Sequence, residues 1–541
     1  MIDYSTDITN VLVIGSGGAG LRAAIEVKKH NLNVQVIGKR PKNDSHTVLA
    51  AGGINASFGN LDKEDSWKQH FADTFIEGYE IGDYKAIQIM AKNSKNAVLE
   101  IDSWGADLQK LSNGKFDQRF FGAHTYRRTC YSGDYTGQSI IKALLKKANL
   151  IGIKINDEQY VTDLLVDDKK CFGAISFNIN NGEKTIHYAD AVVLCTGGHT
   201  RLWRNSSSRK FENFGDGYFL GLKAGCELLD MEMVQFHPTG MVLPKEYCGT
   251  LVTEAVRGEG GILVNNIGDR FMEKYDKKRM ELSTRDRVAI ANYTEIVEGR
   301  GTSNGAVFLD ISHKSKDFIL SKIPKIYRQF VDLQLLDISK EPMEVAPTAH
   351  YSMGGLFVNA STHQTKVEGL FAAGEVVGGL HGANRLGGNS LAEILIFGRI
   401  AGDCASEYSK TINYQPRSRV VVDSALSNIE EKIKKGENLV IYLQNQLRDI
   451  MWTHCGVIKD QANLKNGLKK VQNLKNQSLN ADVNTSGNNF TDLINIFDLE
   501  SSLVTAEATI RSSISRLETR GAHVRKDYPN LDKNFKYNFL I

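Results

Sequence analysis

Short, almost wholly apolar runs alternate along this chain with longer stretches in which apolar residues return every third or fourth position. Residues 10–15, NVLVIG, are a β-branched run that stops at a glycine, as a strand buried on both faces does. Helix-forming residues follow from Ala19 to Lys29, and a second apolar run spans Val34 to Ile37. Strand, glycine turn, helix and strand within about thirty residues predict a βαβ unit. Residues 84–103 and 137–148 read as amphipathic helices. Residues 160–195 alternate as strands do and close on AVVLCTGG, and 368–375, EGLFAAGE, is a further strand-like run. From about residue 425 the pattern turns helical, in ALSNIEEKIKKG and again in SLVTAEATIRSSISRLETR. The Asn- and Lys-rich stretch near 463–490 reads as surface helix and loop.

At 541 residues the chain is too long for one domain and suits about three. With 41 % hydrophobic and 24 % charged residues it is neither collagen-like, coiled-coil nor disordered as a whole. The 66 Lys and Arg against 63 Asp and Glu leave a charge of +3, so no basic field points to a nucleic acid. The seven cysteines, at 130, 171, 195, 226, 248, 404 and 455, contain no CxxC pair, which argues against an iron–sulfur cluster or zinc finger in this chain and for reduced thiols in a cytoplasmic setting. No metal site is expected. No apolar run reaches the roughly 20 residues of a membrane span, and MIDYSTDITN does not resemble a secretory signal. Glycine is abundant (49) and gathers in tight groups, at 15–20, 52–53, 197–198, 258–261, 354–355, 378–379 and 387–388, where a backbone turns sharply or approaches something closely.

The first such group carries chemistry. Gly15-Ser16-Gly17-Gly18-Ala19-Gly20 matches GxGxxG directly after a strand and opens a helix. One glycine makes the turn, one admits a pyrophosphate to the backbone, and one lets helix pack on sheet, while free N–H groups at the helix start face the anion. A glycine-rich turn that binds nothing is the bland alternative, and the flanking strand and helix favour dinucleotide binding. Where an acid usually holds the ribose at the end of the second strand, this chain has Gly38-Lys39, which leaves FAD or an unusual ribose contact.

Further motifs follow in order. They are Ser45-His46-Thr47 with Gly52-Gly53; Gln235-Phe236-His237-Pro-Thr-Gly240; Thr253-Glu254-Ala-Val-Arg257 with its glycines; Pro347-Thr-Ala-His350-Tyr-Ser-Met-Gly-Gly355; His381-Gly-Ala-Asn-Arg385 through Ser390-Leu391; and Arg520-Gly-Ala-His523. Together they resemble the flavoprotein subunit of succinate dehydrogenase and fumarate reductase, nearly end to end. The wider superfamily, which includes L-aspartate oxidase and adenylylsulfate reductase, leaves the substrate open. In the respiratory members a histidine in an SHT sequence bears the flavin, so the resemblance implies FAD bound covalently through His46. A self-contained flavin oxidase similar to L-aspartate oxidase is the alternative. That enzyme lacks the histidine and carries an acid for the substrate ammonium where this chain has Phe121, in Arg119-Phe-Phe121-Gly-Ala123. A phenylalanine leaves such a cation unpaired at high cost.

Dehydrogenating succinate requires clamping two carboxylates, presenting one carbon to the flavin and the other to a base. By resemblance, His237, Thr253, His350 and Arg385 form the clamp beside Gly52 and Gly53. Arg285 moves the proton, and Glu254 with Arg257 relays it. Without the family pattern, Glu254 and Arg257 would read as an ordinary helical ion pair, His350 and Arg385 as residues of glycine-rich loops, and Arg285 would carry no signal. The resemblance assigns the cofactor to Gly15, Ser16, Gly17, Gly18, Gly20, Lys39, Ser45, His46, Thr47, Gly52, Gly53, Asp216, Glu375, Ser390 and Leu391, with Glu375 able to replace the missing ribose acid.

The expected fold is α/β. A Rossmann-type FAD-binding domain (1–237 and 347–405) holds an inserted α+β capping domain (238–346), and a C-terminal helical domain (406–541) follows. Expected partners are succinate or fumarate, an iron–sulfur protein subunit, and a membrane anchor subunit, with no nucleic acid; the expected place is the cytoplasmic face of a membrane, reached through those partners.

Overall fold

In the computed structural model, which describes residues 3–485 and 490–541, the first apolar run is the strand Tyr4–Ile14. Its polar first half is largely solvated, and Val11–Ile14, apolar on both faces, is buried. It pairs in parallel with Val34–Ile37 on one side and Lys184–Leu194 on the other, and Val34–Ile37 continues in parallel to Lys154–Asn156. On its other edge the strand Lys184–Leu194 has two further partners. Its first half meets Lys170–Asn178 antiparallel, and its last three residues run parallel to Leu370–Ala372. The alternating run 160–195 is therefore a meander of Gln159–Asp167, Lys170–Asn178 and Lys184–Leu194 on one edge of a parallel sheet. The helices Gly18–Lys29 and Asn389–Thr411 cover this sheet, in a core that includes Val11, Val13, Leu21, Ala23, Ile394 and Leu395. The carboxyl ends of the parallel strands, at Ile14, Ile37, Cys195 and Ala373, border one large cavity, the usual place for a ligand in such a sheet.

A second sheet, of Ile262–Val264, Val307–Asp310, Met343–Ser352 and Val234–Met241, is antiparallel and has its own core around Leu263, Val288, Leu309 and Phe330. The expected junctions at 237/238 and 346/347 fall inside two strands that pair with each other, His237 opposite Thr348. The chain thus crosses both expected junctions within paired strands rather than through a linker.

The C-terminal quarter is built on the helices Arg419–Lys432, Val440–His454, Gln461–Ser478 and Thr491–Ser515, packed about Leu443, Leu447, Leu464 and Leu503. The first begins ahead of the expected residue 425. The last stops at Ser515 although the helical pattern runs on to Arg520. There the buried guanidinium of Arg516 is caught by Glu232 at 2.5 Å, with Asp230 and Glu518 at 3.2 Å, and the chain leaves the helix to meet them. In the Asn- and Lys-rich stretch, residues up to Ser478 are helical, and 486–489 lie outside the described residues. Among the described residues no helix is long and apolar enough to cross a membrane.

Candidate active site

The glycine turn is built by contact rather than by flexibility alone. Gly15 has φ +119°, and a Cβ there would stand 2.1 Å from the carbonyl oxygen of Cys195. At Gly20 a Cβ would lie 1.8 Å from the carbonyl oxygen of Gly15, so helix and strand touch through a missing side chain. The variant Gly20→Ala is accordingly expected to lose about 3 kcal/mol or more, at the upper end of the cost of overpacking, and to be purified without yellow colour. Thermal unfolding and flavin absorbance check this together.

The cavity, about 830 Å³, runs from this turn to the second sheet, and Gly15, Ser16, Gly17, Gly18, Lys39, Ser45, His46, Thr47, Gly52, Gly53, Asp216, Glu375, Ser390 and Leu391 all line it. Gly18 N–H donates to Thr47 Oγ1 at 3.2 Å, which pins the SHT turn, His46–Leu49, onto the glycine turn. Gly20 packs behind this wall. Ser45 Oγ, Thr196 Oγ1 and Asp216 Oδ1 are buried without a hydrogen-bond partner, and Ser45, Thr196 and Asp216 line the cavity. Unpaired acceptors and hydroxyls beside a glycine cradle fit the ribose, diphosphate and ring edge of FAD. Asn389–Thr411, 23 residues long, starts at this wall and places Ser390 and Leu391 in its first turn.

Lys39 stands differently from a free phosphate ligand. Its ammonium lies between Asp216, at 3.3 Å, and Asp498 on the last long helix, and 4.6 Å above the Tyr160 ring. Burial pushes Asp498 up to about 7 despite the opposing lysine. Asp498 was not legible from sequence because its partner lies more than four hundred residues away. Glu375 Oε1 accepts from Ser352 N–H at 2.9 Å, and burial raises its pKa.

At the other end, the paired strands Val234–Met241 and Met343–Ser352 bring His237 and His350 together, ring centroids 5.3 Å apart. Burial, then nearby guanidinium groups, holds His237 well below its usual pKa. For His350 the causes are burial, then His237 and the arginines. His237 Nδ1 lies 3.2 Å from both the N–H and the carbonyl oxygen of Thr239. Arg285, first residue of the helix Arg285–Glu295, donates from Nε to Glu254 at 2.8 Å. Burial opposes ionisation of Glu254, but Arg285 and then Arg257 outweigh it and draw its pKa down to about 2. Arg385 stacks 4.2 Å over Tyr351, and burial followed by repulsion from Arg285 lowers it to about 10, so it remains charged at neutral pH. Thr253 lines the same end.

Two features go beyond the sequence reading. Arg257 does not pair with Glu254. The helix there is only Ala255–Gly258, with Glu254 as its cap, and Arg257 Nη1 donates to the carbonyl of Glu281 at 2.5 Å. Its Nε and Nη2 are buried without a partner. Gln235, quoted in a motif but given no role, is fully buried, and its Oε1 accepts from both Arg285 (3.3 Å) and Arg385 (3.1 Å). One neutral oxygen thus separates two guanidinium groups that would otherwise repel. Phe121 lines the same wall. A Cβ on Gly52 would meet its ring at 2.8 Å, and one on Gly387 would meet both that ring (3.2 Å) and Arg285 (3.1 Å).

Comparison with known proteins agrees with this geometry. A family described as FAD binding domain matches residues 10–391, and one described as fumarate reductase flavoprotein C-term matches 444–541. The chain is 41 % identical to one of the subunits of the fumarate reductase (CoM/CoB) of Methanothermobacter marburgensis, over 98 % of this chain and 96 % of that one. It is 36 % identical to the succinate dehydrogenase flavoprotein subunit of Rickettsia bellii, over 97 % and 91 %. It superposes on E. coli quinol fumarate reductase FrdA with a TM-score of 0.94 at 31 % identity, covering 99 % of this chain and 94 % of that one.

Proposed function

Because the chain belongs to the flavoprotein-subunit family of succinate dehydrogenase and fumarate reductase, we propose that it is an FAD-dependent catalytic subunit interconverting succinate and fumarate. The observation that carries the substrate is the charge balance at the inner end of the cavity. Arg285 and Arg385, with Arg257 behind them, outnumber Glu254, which suits a dianion, and the apolar Phe121 offers nothing to an ammonium.

The division of labour follows from the contacts. Arg385 offers a planar fork to one carboxylate, and its orientation is set by Gln235 and by Ser390, whose Oγ accepts from Nη1 at 3.0 Å. His237, His350 and Thr253 are neutral donors for the carboxylates. Bound FAD supplies the hydride acceptor or donor, and His46 is the residue proposed to attach it. On the other substrate carbon, Arg285 gives or takes the proton; the ionised Glu254 accepts from its Nε and stabilises the guanidinium, and the proton that Arg285 gives up is replaced from water, with Glu254 able to pass it on. Arg257, held by Glu281, acts at longer range on Glu254. We assign residues 238–346 as the cap that carries Arg285 and Glu254 over the FAD-binding parts 1–237 and 347–405, with 406–541 as the helical domain; closure excludes water from the proton transfer.

For partners we propose an electron-carrying iron–sulfur subunit, since the sequence holds no CxxC pair, together with a membrane anchor that keeps the complex peripheral on the cytoplasmic face. The relatives' own names support assembly into larger complexes. The test is dye reduction by the purified full chain, where succinate is expected to support turnover and L-aspartate to support none. Turnover on L-aspartate alone would return the protein to the aspartate oxidase reading.

A further inference from the structure

His46 makes one side-chain hydrogen bond among the described residues, from Nδ1 to Glu212 Oε1 at 3.0 Å. Glu212 comes from the irregular segment after the short helix Thr200–Leu202, and its side chain is 6 % exposed. It is anchored on its far side. Arg209 donates to it from the backbone N–H at 2.6 Å, from Nε at 3.3 Å and from Nη2 at 3.1 Å, and Arg40 Nε lies 3.7 Å away. Asp44 in turn ties Arg40 and Arg209 together. Burial alone would neutralise Glu212, but His46 and Arg209 hold it well below the carboxylate range. The result is a fixed anion behind an imidazole whose other nitrogen, Nε2, remains for the cavity that the ring lines.

We propose that Glu212 is the positioning residue for flavin attachment, holding His46 in the Nδ1–H tautomer so that Nε2 carries the lone pair that bonds the cofactor. This rests on the reading of His46 as the attachment residue. In the step itself, Nε2 bonds to the carbon of the flavin 8-methyl group, and one C–H bond of that group breaks. Its hydrogen leaves as a proton, and its electron pair stays in the ring system until fumarate takes up that pair with two protons, the one from the methyl group and the one the alkylated imidazole gives up from Nδ1, and becomes succinate. Attack by Nε2 puts positive charge on a ring that still holds its Nδ1 proton. A buried ionised carboxylate at 3.0 Å is placed to stabilise that charge as it forms, as an acid behind a catalytic histidine does.

The pairing also sets a pH dependence. Burial disfavours the charged imidazole, but Glu212 and, farther off, Glu375 raise its pKa against Arg209. His350, on the Met343–Ser352 strand, also senses His46, and its own pKa lies well below the usual value. Attachment needs neutral Nε2, so its rate rises with pH through the raised His46 pKa.

The test uses the full chain, refolded or expressed without flavin, then mixed with FAD and fumarate. Attachment is read as fluorescence on the denatured band, and non-covalent binding as the visible spectrum before denaturation. In Glu212→Gln, attachment is expected to slow at least about tenfold, a modest share of what a positioned acid–base partner contributes, with FAD still bound. The midpoint of its pH–rate profile is expected to move to lower pH. Glu212→Asp is expected to recover part of the rate. Unchanged rate and midpoint in Glu212→Gln overturn the proposal, as does equal loss of binding and attachment with an unmoved midpoint, which marks a merely structural role. A wild-type chain that binds FAD and never attaches it refutes the His46 reading itself, and this inference with it.

Discussion

The variant Arg285→Ala is expected to lose turnover in both directions by about 10²–10⁴-fold, the usual range for removing a proton-transfer group, while a dicarboxylate inhibitor still binds. Arg285 is placed for one task. Its Nε is on Glu254 and its Nη1 on Gln235, so the guanidinium is fixed from two sides, and Arg385, His237 and His350 remain to hold carboxylates. Those holders also predict a flat pH response. Glu254 is drawn down to about 2 and both histidines lie well below their ordinary values, so none of the three changes charge near neutrality. Inhibitor affinity in the wild-type protein is therefore expected to vary little between about pH 6 and 8. Steady-state kcat in both directions, together with inhibitor titration of the flavin spectrum, separates the roles. A variant that turns over near the wild-type rate removes Arg285 from proton transfer.

The second large effect belongs to His46. The variant His46→Ala is expected to be purified yellow, to release all its flavin on denaturation, and to lose most succinate oxidation while keeping more of its fumarate reduction. The asymmetry has a physical cause. A bond from the imidazole to the ring is expected to raise the flavin's reduction potential, and for a two-electron couple each ~30 mV is tenfold in the equilibrium constant. Without the bond the flavin becomes a weaker acceptor from succinate and no weaker a donor to fumarate. The ratio of the two rates reads this directly. Equal loss in both directions would assign His46 to cofactor binding rather than to tuning.

Much of this was legible because the sequence carries it locally. Gly15 to Gly20 sits between a strand and a helix that the apolar pattern already delimits, and the helix at Tyr84–Ser103 falls where its period put it. The motif residues were recognisable by order, and the fold brings His237 and His350 together because their strands pair. The relay was harder. Two residues three apart face each other only within a helix, and Glu254 caps a helix too short to align them, so Arg257 turns to Glu281 instead. Glu212 and Asp498 left no local trace, since each matters through a partner 166 or 459 positions away. Gln235 stood inside a quoted motif, but an amide that shares one oxygen between two arginines becomes visible only when both are in place.

The most direct test is anaerobic addition of succinate to the purified flavoprotein, followed through the visible flavin absorbance. Succinate is expected to bleach the flavin, fumarate to restore its colour, and L-aspartate to leave it unchanged. Absorbance that does not respond to succinate would contradict the proposed function.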